Sequence, residues 1–563
     1  MKIPPKVSFA LSSVWILLLS VLLRTDVSSV QRIFILLNLV LTIVILYFKY
    51  LSEPKPEPID IKEIDKITYQ PNQEKEKKES TKKNYDLHNY KVKAICENVK
   101  EFSKNCKEGE HFILRKSSVS HMAPQPDNPR HNDSHIDVRK LTTILEIDVD
   151  SMTCVAESGV TFDELVRHTI PLGLAPRCVS ELKGITIGGA VAGCSVESMS
   201  FKYGGFHDSC LEYEIITGKG ELIRCSPTTE PELFNSVHGS FGTIAIITLL
   251  KFQLVKVKPY VKIDYLTSKT IDGYLETIQK FYDNRNLYSN EEIDQKKQEE
   301  KLKDTSLNWT EMMDGLIHQK DQFVLNSANF VDKLPANTKL SEFWVTPYYK
   351  TAKNKKCDYM TTYDYFFRYD SDCHWSLRNM PGLENMVLRK LLGRAFLGSS
   401  NILKMAGRLP FLVKKGGKPD VIVDVFIPIE NVKTFFDWYL ETFGEYFPLW
   451  IVPYEMPQYQ LQNYKHYPWL NPDLMKNLKS SLFIDIAIYG FEQKGKKLNY
   501  YHELEKKVLE LKGMKTLITH NFYDKDSFWQ TFNKPLYRKI KQRSDPKNLL
   551  RELYNKTNFK KKK

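Results

Sequence analysis

Apolar positions fall along the chain in four regimes. Val7–Leu23 and Ile33–Phe48 are nearly unbroken apolar runs, each ~17 residues and so at the lower limit for crossing a hydrocarbon core. From Glu53 to Lys83 the pattern dissolves into proline and charge, with Glu53-Pro54-Lys55-Pro56-Glu57-Pro58 followed by the polar Gln73–Lys83, which predicts an extended linker. From Phe112 to Leu254 short β-branched runs alternate with glycine clusters. Ile144–Val149 and Thr153–Val155 read as adjacent strands, while Phe162, Leu165, Val166 and Ile170 give Thr161–Ile170 a helical spacing. Beyond Val261 the chain turns aromatic and basic. There the strand-like Val421–Ile427 and Phe483–Ile488 and the amphipathic Val432–Phe443 and Tyr500–Leu511 predict an antiparallel sheet with helices on one side.

Composition narrows the class. With 563 residues, 42% hydrophobic and 26% charged, the chain has the make-up of a folded protein of several packing units, which excludes collagen-like, mucin-like and wholly disordered readings. The net charge of +13 suits an anionic membrane surface or nucleic acid, but no nucleic-acid recognition motif accompanies it. Nine cysteines, without a C-x-x-C pair, fit free thiols in a reducing compartment. Lys2 and Lys6 before the first apolar run, with Lys49 and Lys55 after the second, predict a membrane hairpin whose flanks and body are cytosolic. The sequons at Asn132, Asn308 and Asn555 are then expected to stay unmodified. The closing Lys560–Lys563 resembles a dilysine endoplasmic-reticulum retrieval signal, and reads equally as a solvated basic tail.

The chemistry concentrates in Gly184–Ser195. Gly188, Gly189 and Gly193 let main chain pass close to a ligand, so that their N–H groups can cradle a pyrophosphate or face a flat ring. No G-x-G-x-x-G follows a strand, and neither a P-loop nor a G-x-S-x-G elbow occurs. His131 and His135 lie in a polar loop without a third ligand at metal-site spacing, so no metal is expected. Arg368 beside Tyr369, near His374 and Trp375, is either a core seam or a charged and stacking element of a pocket. Tyr454, Glu455, Asp485, His520 and Tyr523 fall near predicted strand ends, where a proton donor could stand. Arg368, Tyr454 and Asp485 are the catalytic candidates.

Glu181-Leu182, Thr186-Ile187-Gly188-Gly189, Gly193, Glu197-Ser198, Ser200 and Lys202-Tyr203-Gly204 together resemble the second flavin loop of the Δ24-sterol reductases, within the vanillyl-alcohol-oxidase-like FAD proteins. Phe241-Gly242-Thr243-Ile244 resembles that family's later flavin loop, and Leu114–His121 occupies the place of its first. The chain departs from the pattern at Phe201, Ala245 and Ser376. The resemblance implies an α+β protein with a PCMH-type FAD-binding domain over 89–260 and a substrate cap with an antiparallel sheet over 261–555. A membrane anchor (1–50) and a charged linker (51–88) precede them, and a basic tail (556–563) follows. It implies noncovalent FAD held by Ser117, Ser118, Ser120, His121, Thr186, Gly188, Gly189, Gly193, Glu197, Ser198, Lys202, Tyr203, Gly204, Gly242, Thr243 and Ile244. It further implies NADPH as electron donor, a small apolar substrate of sterol type, contact with membrane lipid, and residence in the endoplasmic-reticulum membrane. A flavin oxidase or dehydrogenase of another substrate, and a non-catalytic flavin-fold scaffold, remain as alternatives.

Overall fold

The structure, a computed structural model, describes residues 71–118, 128–286, 309–372, 420–456 and 498–558, with parts of 385–408 and 471–493. Both N-terminal apolar runs, Ser120, His121, Cys373, His374-Trp375-Ser376 and the lysine tail lie outside these residues. Among the described residues, no helix is long and apolar enough to cross a membrane, and the eight described cysteines are free.

Helix α1 (Pro71–Asn105) runs through the charged stretch that composition reads as linker. Its later turns carry Val92, Ile95, Cys96 and Val99 on one stripe, which packs against Phe112, Ile136, Leu141 and Leu549. Lys, Glu and Gln are good helix formers, so the earlier turns extend a helix that packing fixes further on.

Strands β1 (Phe112–Arg115) and β2 (Ser134–Asp137) pair in parallel. Next come β3 (Ile144–Asp148), β4 (Thr153–Glu157), β5 (Leu174–Pro176), β6 (Cys210–Ile216), β7 (Leu222–Cys225) and β8 (Ile246–Lys256), ordered β3-β4-β8-β6-β7 with β5 also on β8. Helix α2 (Phe162–Thr169) is capped by Thr161, which accepts from the Glu164 N–H, and buries Phe162, Leu165 and Val166. The glycine stretch read as a loop contains a short helix, α3 (Ile187–Gly193), because Thr186 caps the N–H of Gly189.

The second half is an antiparallel sheet of β9 (Tyr260–Ser268), β10 (Met312–Gln319), β11 (Gln322–Val331), β12 (Cys357–Thr361), β13 (Val421–Pro428), β14 (Leu449–Glu455), β15 (Leu482–Phe491) and β16 (Met514–Lys515). Their order is β12-β9-β11-β10-β14-β15-β13-β16. Alternation along these strands divides the two faces. Val423, Val425, Ile451, Ile484 and Ile486 pack beneath α4 (Ile271–Asp283), α5 (Val432–Phe443) and α6 (Tyr500–Glu510). Trp450, Val452, Ala487 and Tyr489 point the other way and share a core with the first half.

The C-terminal segment does not stay with the second sheet, where a 261–555 cap would put it. Helices α7 (Lys534–Ser544) and α8 (Leu553–Thr557) return to the first half. Tyr537 Oη donates to Thr243 Oγ1 at 3.0 Å, Lys541 Nζ to the Thr243 carbonyl at 2.7 Å, and the Phe112 N–H to the Leu549 carbonyl at 2.9 Å.

Candidate active site

A cleft of about 480 Å³ lies where the two halves meet. Its glycine wall is α3 with the Ser158-Gly159 turn after β4, joined by Ser240, Phe241 and Gly242 ahead of β8. The glycines in this wall have different reasons to be glycine. A Cβ on Gly188 would lie 2.6 Å from Ser158 Cβ, so Gly188 exists to let α3 rest on the β4 turn. A Cβ on Gly189 would meet only Thr186 Oγ1, at 3.0 Å, and one on Gly193 would meet nothing within 4 Å. Gly242, at φ +66°, turns the chain along the rim.

A second wall is cationic. Lys116 follows β1, Arg130 comes from the turn before β2, Lys556 comes from α8, and Ser117, Ser118 and His131 line the cleft beside them. Burial, then the charges of Arg130, Lys116 and Lys541, push Lys556 down to about 7. Burial and the Arg130 charge likewise lower Lys116. The nearby Asp133 carboxylate is engaged by Arg551, at 2.7 Å from Nε. This wall therefore carries positive potential that an anion would relieve.

The opposing wall is the inner face of the second sheet, with Asp424, Phe426, Trp450, Asp485 and Tyr489, and Glu181 joins from the first half. Register explains the cluster: Asp424 pairs with Ala487, Phe426 with Asp485, and Trp450 with Ala487, all on one pleated face. Burial, then the charge of Glu197, pushes Glu181 up to about 8. Burial raises Asp424 to about 6 against the hydrogen bonds from Tyr489 and Thr516. Burial and then Asp424 and Glu181 push Asp485 well up. A narrow pocket continues from the cleft past Cys194 and Phe426 to Tyr454, Lys515 and His207.

Of the residues singled out in the sequence, Ser117, Ser118, Thr186, Gly188, Gly189, Gly193, Gly242 and Asp485 line the cleft, and Tyr454 lines its extension. The remaining described candidates are placed elsewhere. Arg368 is fully buried, pairing with Asp314 at 3.0 Å and Glu197 at 3.4 Å and lying 4.1 Å above the Tyr365 ring, so it neutralises two core carboxylates. Glu197 serves that cluster, and the Ser198 carbonyl accepts from the Met313 N–H at 2.7 Å, joining β10 to the first half. Lys202 lies over the rings of Tyr203 and Trp309, and Tyr203 also receives Arg177. Gly204 is needed at φ +75°, where a Cβ would strike Asp208. Thr243 binds Tyr537, and Ile244 is in the core. Glu455 is paired with Arg285 at 2.7 Å. Lys116, Arg130, Glu181, Asp424, Tyr489 and Lys556 escaped selection as site residues, although Lys116 and Glu181 stand inside the flavin-loop motifs.

The profile described as FAD binding domain matches residues 96–226, which contain the glycine wall through α3 and the start of the cationic wall. The chain is a FAD-dependent oxidoreductase. Its relatives include a Delta(24)-sterol reductase homolog of Caenorhabditis elegans, 24% identical over 479 residues and covering 80% of this chain and 84% of the relative. The Delta(24)-sterol reductase of Homo sapiens is 22% identical over 488 residues, covering 84% and 86%. Cytokinin dehydrogenase 3 of Oryza sativa is 38% identical, but over 104 residues, 18% of this chain. The flavoprotein's cleft fits its cofactor. The open space at Gly193 admits close approach, and Lys116, Arg130 and Lys556 supply charge for a pyrophosphate.

Proposed function

We propose that the protein is a membrane-anchored reductase that uses FAD and NADPH to reduce the 24(25) double bond of a sterol side chain. The observation that carries this reading is the span of the similarity. The Caenorhabditis elegans and Homo sapiens relatives match over 80% and 84% of the chain, necessarily through the second sheet as well as the flavin half. The cytokinin dehydrogenase match is confined to 18% of the chain and so does not bear on the chain as a whole.

Bound FAD supplies the hydride. The chain's residues do the rest. Gly189 and Gly193 leave room for the cofactor, and Lys116, Arg130 and Lys556 hold its phosphates without covalent attachment. Trp450 and Phe426 offer apolar surface to an apolar substrate on the sheet side of the cleft. The buried carboxyl groups among them can hold a proton at neutral pH. The two N-terminal apolar runs would keep the body beside the bilayer into which a sterol partitions. Together with the lysine-rich tail they support residence at the endoplasmic-reticulum membrane, with the body in the cytosol.

Anaerobic spectroscopy of the full-length protein tests the reading. NADPH should bleach the flavin, and a sterol with a 24(25) double bond should restore the colour with loss of that alkene. Bleaching by a hydroxylated substrate, with no sterol able to reoxidise the enzyme, would replace the reductase with a dehydrogenase. Acid precipitation should leave flavin in the supernatant.

A further inference from the structure

Reduction of an isolated alkene needs a proton as well as a hydride, and the sheet wall of the cleft holds two carboxyl groups in unequal surroundings. Asp424 on β13 and Asp485 on β15 are diagonal neighbours on one face, since Asp424 pairs with Ala487 and Asp485 with Phe426. Such neighbours have Cα atoms ~7–8 Å apart and side chains closer than that. Both line the cleft. Asp424 accepts from Tyr489 Oη at 2.5 Å, and Thr516 Oγ1 lies 3.5 Å from its other oxygen. Asp485 is 3% exposed, and its Oδ1 is buried without a hydrogen-bond partner.

Two buried like charges this close are not both retained, and hydrogen bonding decides which group ionises. The carboxylate that receives hydroxyl donors is the better anion. Its neighbour, with Oδ1 buried and without a hydrogen-bond partner and with that anion beside it, keeps the proton. The other groups facing the pair do not reverse this. Glu181 comes from the first half, Tyr454 from β14 and Tyr489 from β15 itself; Lys515 on β16 is engaged by Glu505 at 2.9 Å.

We propose that Asp424 and Asp485 form an asymmetric carboxyl pair, in which Asp485 carries the proton delivered to the alkene. Asp424, a positioning residue held ionised by Tyr489 and Thr516, keeps that proton in place. The proposal rests on the reductase reading above. In the step, the Asp485 O–H bond breaks and the alkene π electrons form a C–H bond to its proton. The adjacent carbon would take a hydride, with its electron pair, which bound FAD reduced by NADPH would supply. The carboxylate left on Asp485 regains a proton from water before the next turnover.

Three measurements on the full-length holoenzyme decide it. Infrared difference spectra across a pH titration should contain, beside the band expected of Glu181, a C=O band of a protonated carboxylic acid that Asp485→Asn removes and Glu181→Gln leaves in place. Single-turnover alkene reduction should fall ~10²–10⁴-fold in Asp485→Asn, with flavin content and bleaching by NADPH retained, and recover partly in Asp485→Glu. Asp424→Asn should move the alkaline limit of alkene reduction, and the band's midpoint, to lower pH, because Asp485 then loses the neighbouring negative charge. A full alkene-reduction rate in Asp485→Asn would overturn the proposal, as would absence of the band from wild type. So would loss of band and rate in Glu181→Gln but not in Asp485→Asn. If wild type is bleached by NADPH but reoxidised by no sterol alkene, the functional reading fails, while the infrared titration still decides the pair.

Discussion

Gly188 and Gly193 belong to one glycine-rich stretch, yet a side chain would meet opposite fates at them. At Gly188 it would collide with Ser158, whereas at Gly193 it would project into open cleft. Gly188→Ala should therefore destabilise the fold by ~1–3 kcal/mol, the usual cost of overpacking. Gly193→Leu should leave the melting temperature of cofactor-free protein unchanged and lower retained flavin at least tenfold. Melting curves beside flavin-to-protein ratios check both; full flavin content in Gly193→Leu would remove α3 from the cofactor site. Arg368 poses a different question, because it has no place on the cleft wall. Arg368→Met would leave Asp314 and Glu197 buried without their cation, a loss of ~3–5 kcal/mol when one member of a buried pair goes. Denaturant unfolding should register that loss, while the spectrum of bound flavin in the folded fraction stays that of wild type.

At the scale of elements, α1 is held by charge as well as by its apolar stripe. His88 is fully buried, with Nδ1 2.9 Å from Glu157 and Nε2 2.9 Å from Glu214. Lys91 adds to Glu157, and Arg224 and Thr248 add to Glu214. Burial alone would lower the His88 pKa, but the hydrogen bonds to the two carboxylates prevail and raise it above 6.5. The carboxylates are lowered below 4.5, their own burial outweighed by His88 and, for Glu157, Lys91. A histidine with a raised folded-state pKa stabilises fully below its unfolded value and loses that contribution as pH rises through the folded value; the lowered glutamates stabilise above theirs and lose it on acidification. The stability gap between wild type and His88→Gln should thus widen as pH falls from about 8 to about 6.5. Urea unfolding across that range checks it, and a gap independent of pH would mean that His88 is neutral. This joint was invisible in the sequence, where the same stretch reads as charged linker, because the partners of His88 are 69 and 126 residues away. Periodicity did reveal α2, α5, α6 and the strands they cover. It could not reveal that β13 and β15 are neighbours, and so Asp485 was noticed while Asp424 was not.

Across the whole molecule the cleft is electrically divided, with cations from β1, the turn before β2 and α8 on one wall and carboxyl groups of the second sheet on another. The cations would hold an anionic pyrophosphate, and the carboxyl wall stands across the cleft from them. Helix α8 completes this arrangement from the far end of the chain, with Lys556 Nζ donating to the Phe241 carbonyl at 2.5 Å. That is why a reading by consecutive segments misses it. Burial and the neighbouring cations push Lys556 down to about 7, far below the ordinary 10.5. A bound pyrophosphate would restore the higher value, so FAD binding should take up a proton above neutral pH. It follows by linkage that the affinity of cofactor-free protein for FAD should weaken as pH rises above about 7. Lys556→Met should weaken binding ~10–100-fold, ~1.4–2.8 kcal/mol at 1.4 kcal/mol per decade, and flatten the dependence. Lys556→Arg should keep the affinity and flatten it too, because a guanidinium stays charged throughout. Quenching of flavin fluorescence, titrated at several pH values, measures all three; a wild-type affinity that does not change with pH would separate Lys556 from the cofactor's phosphates.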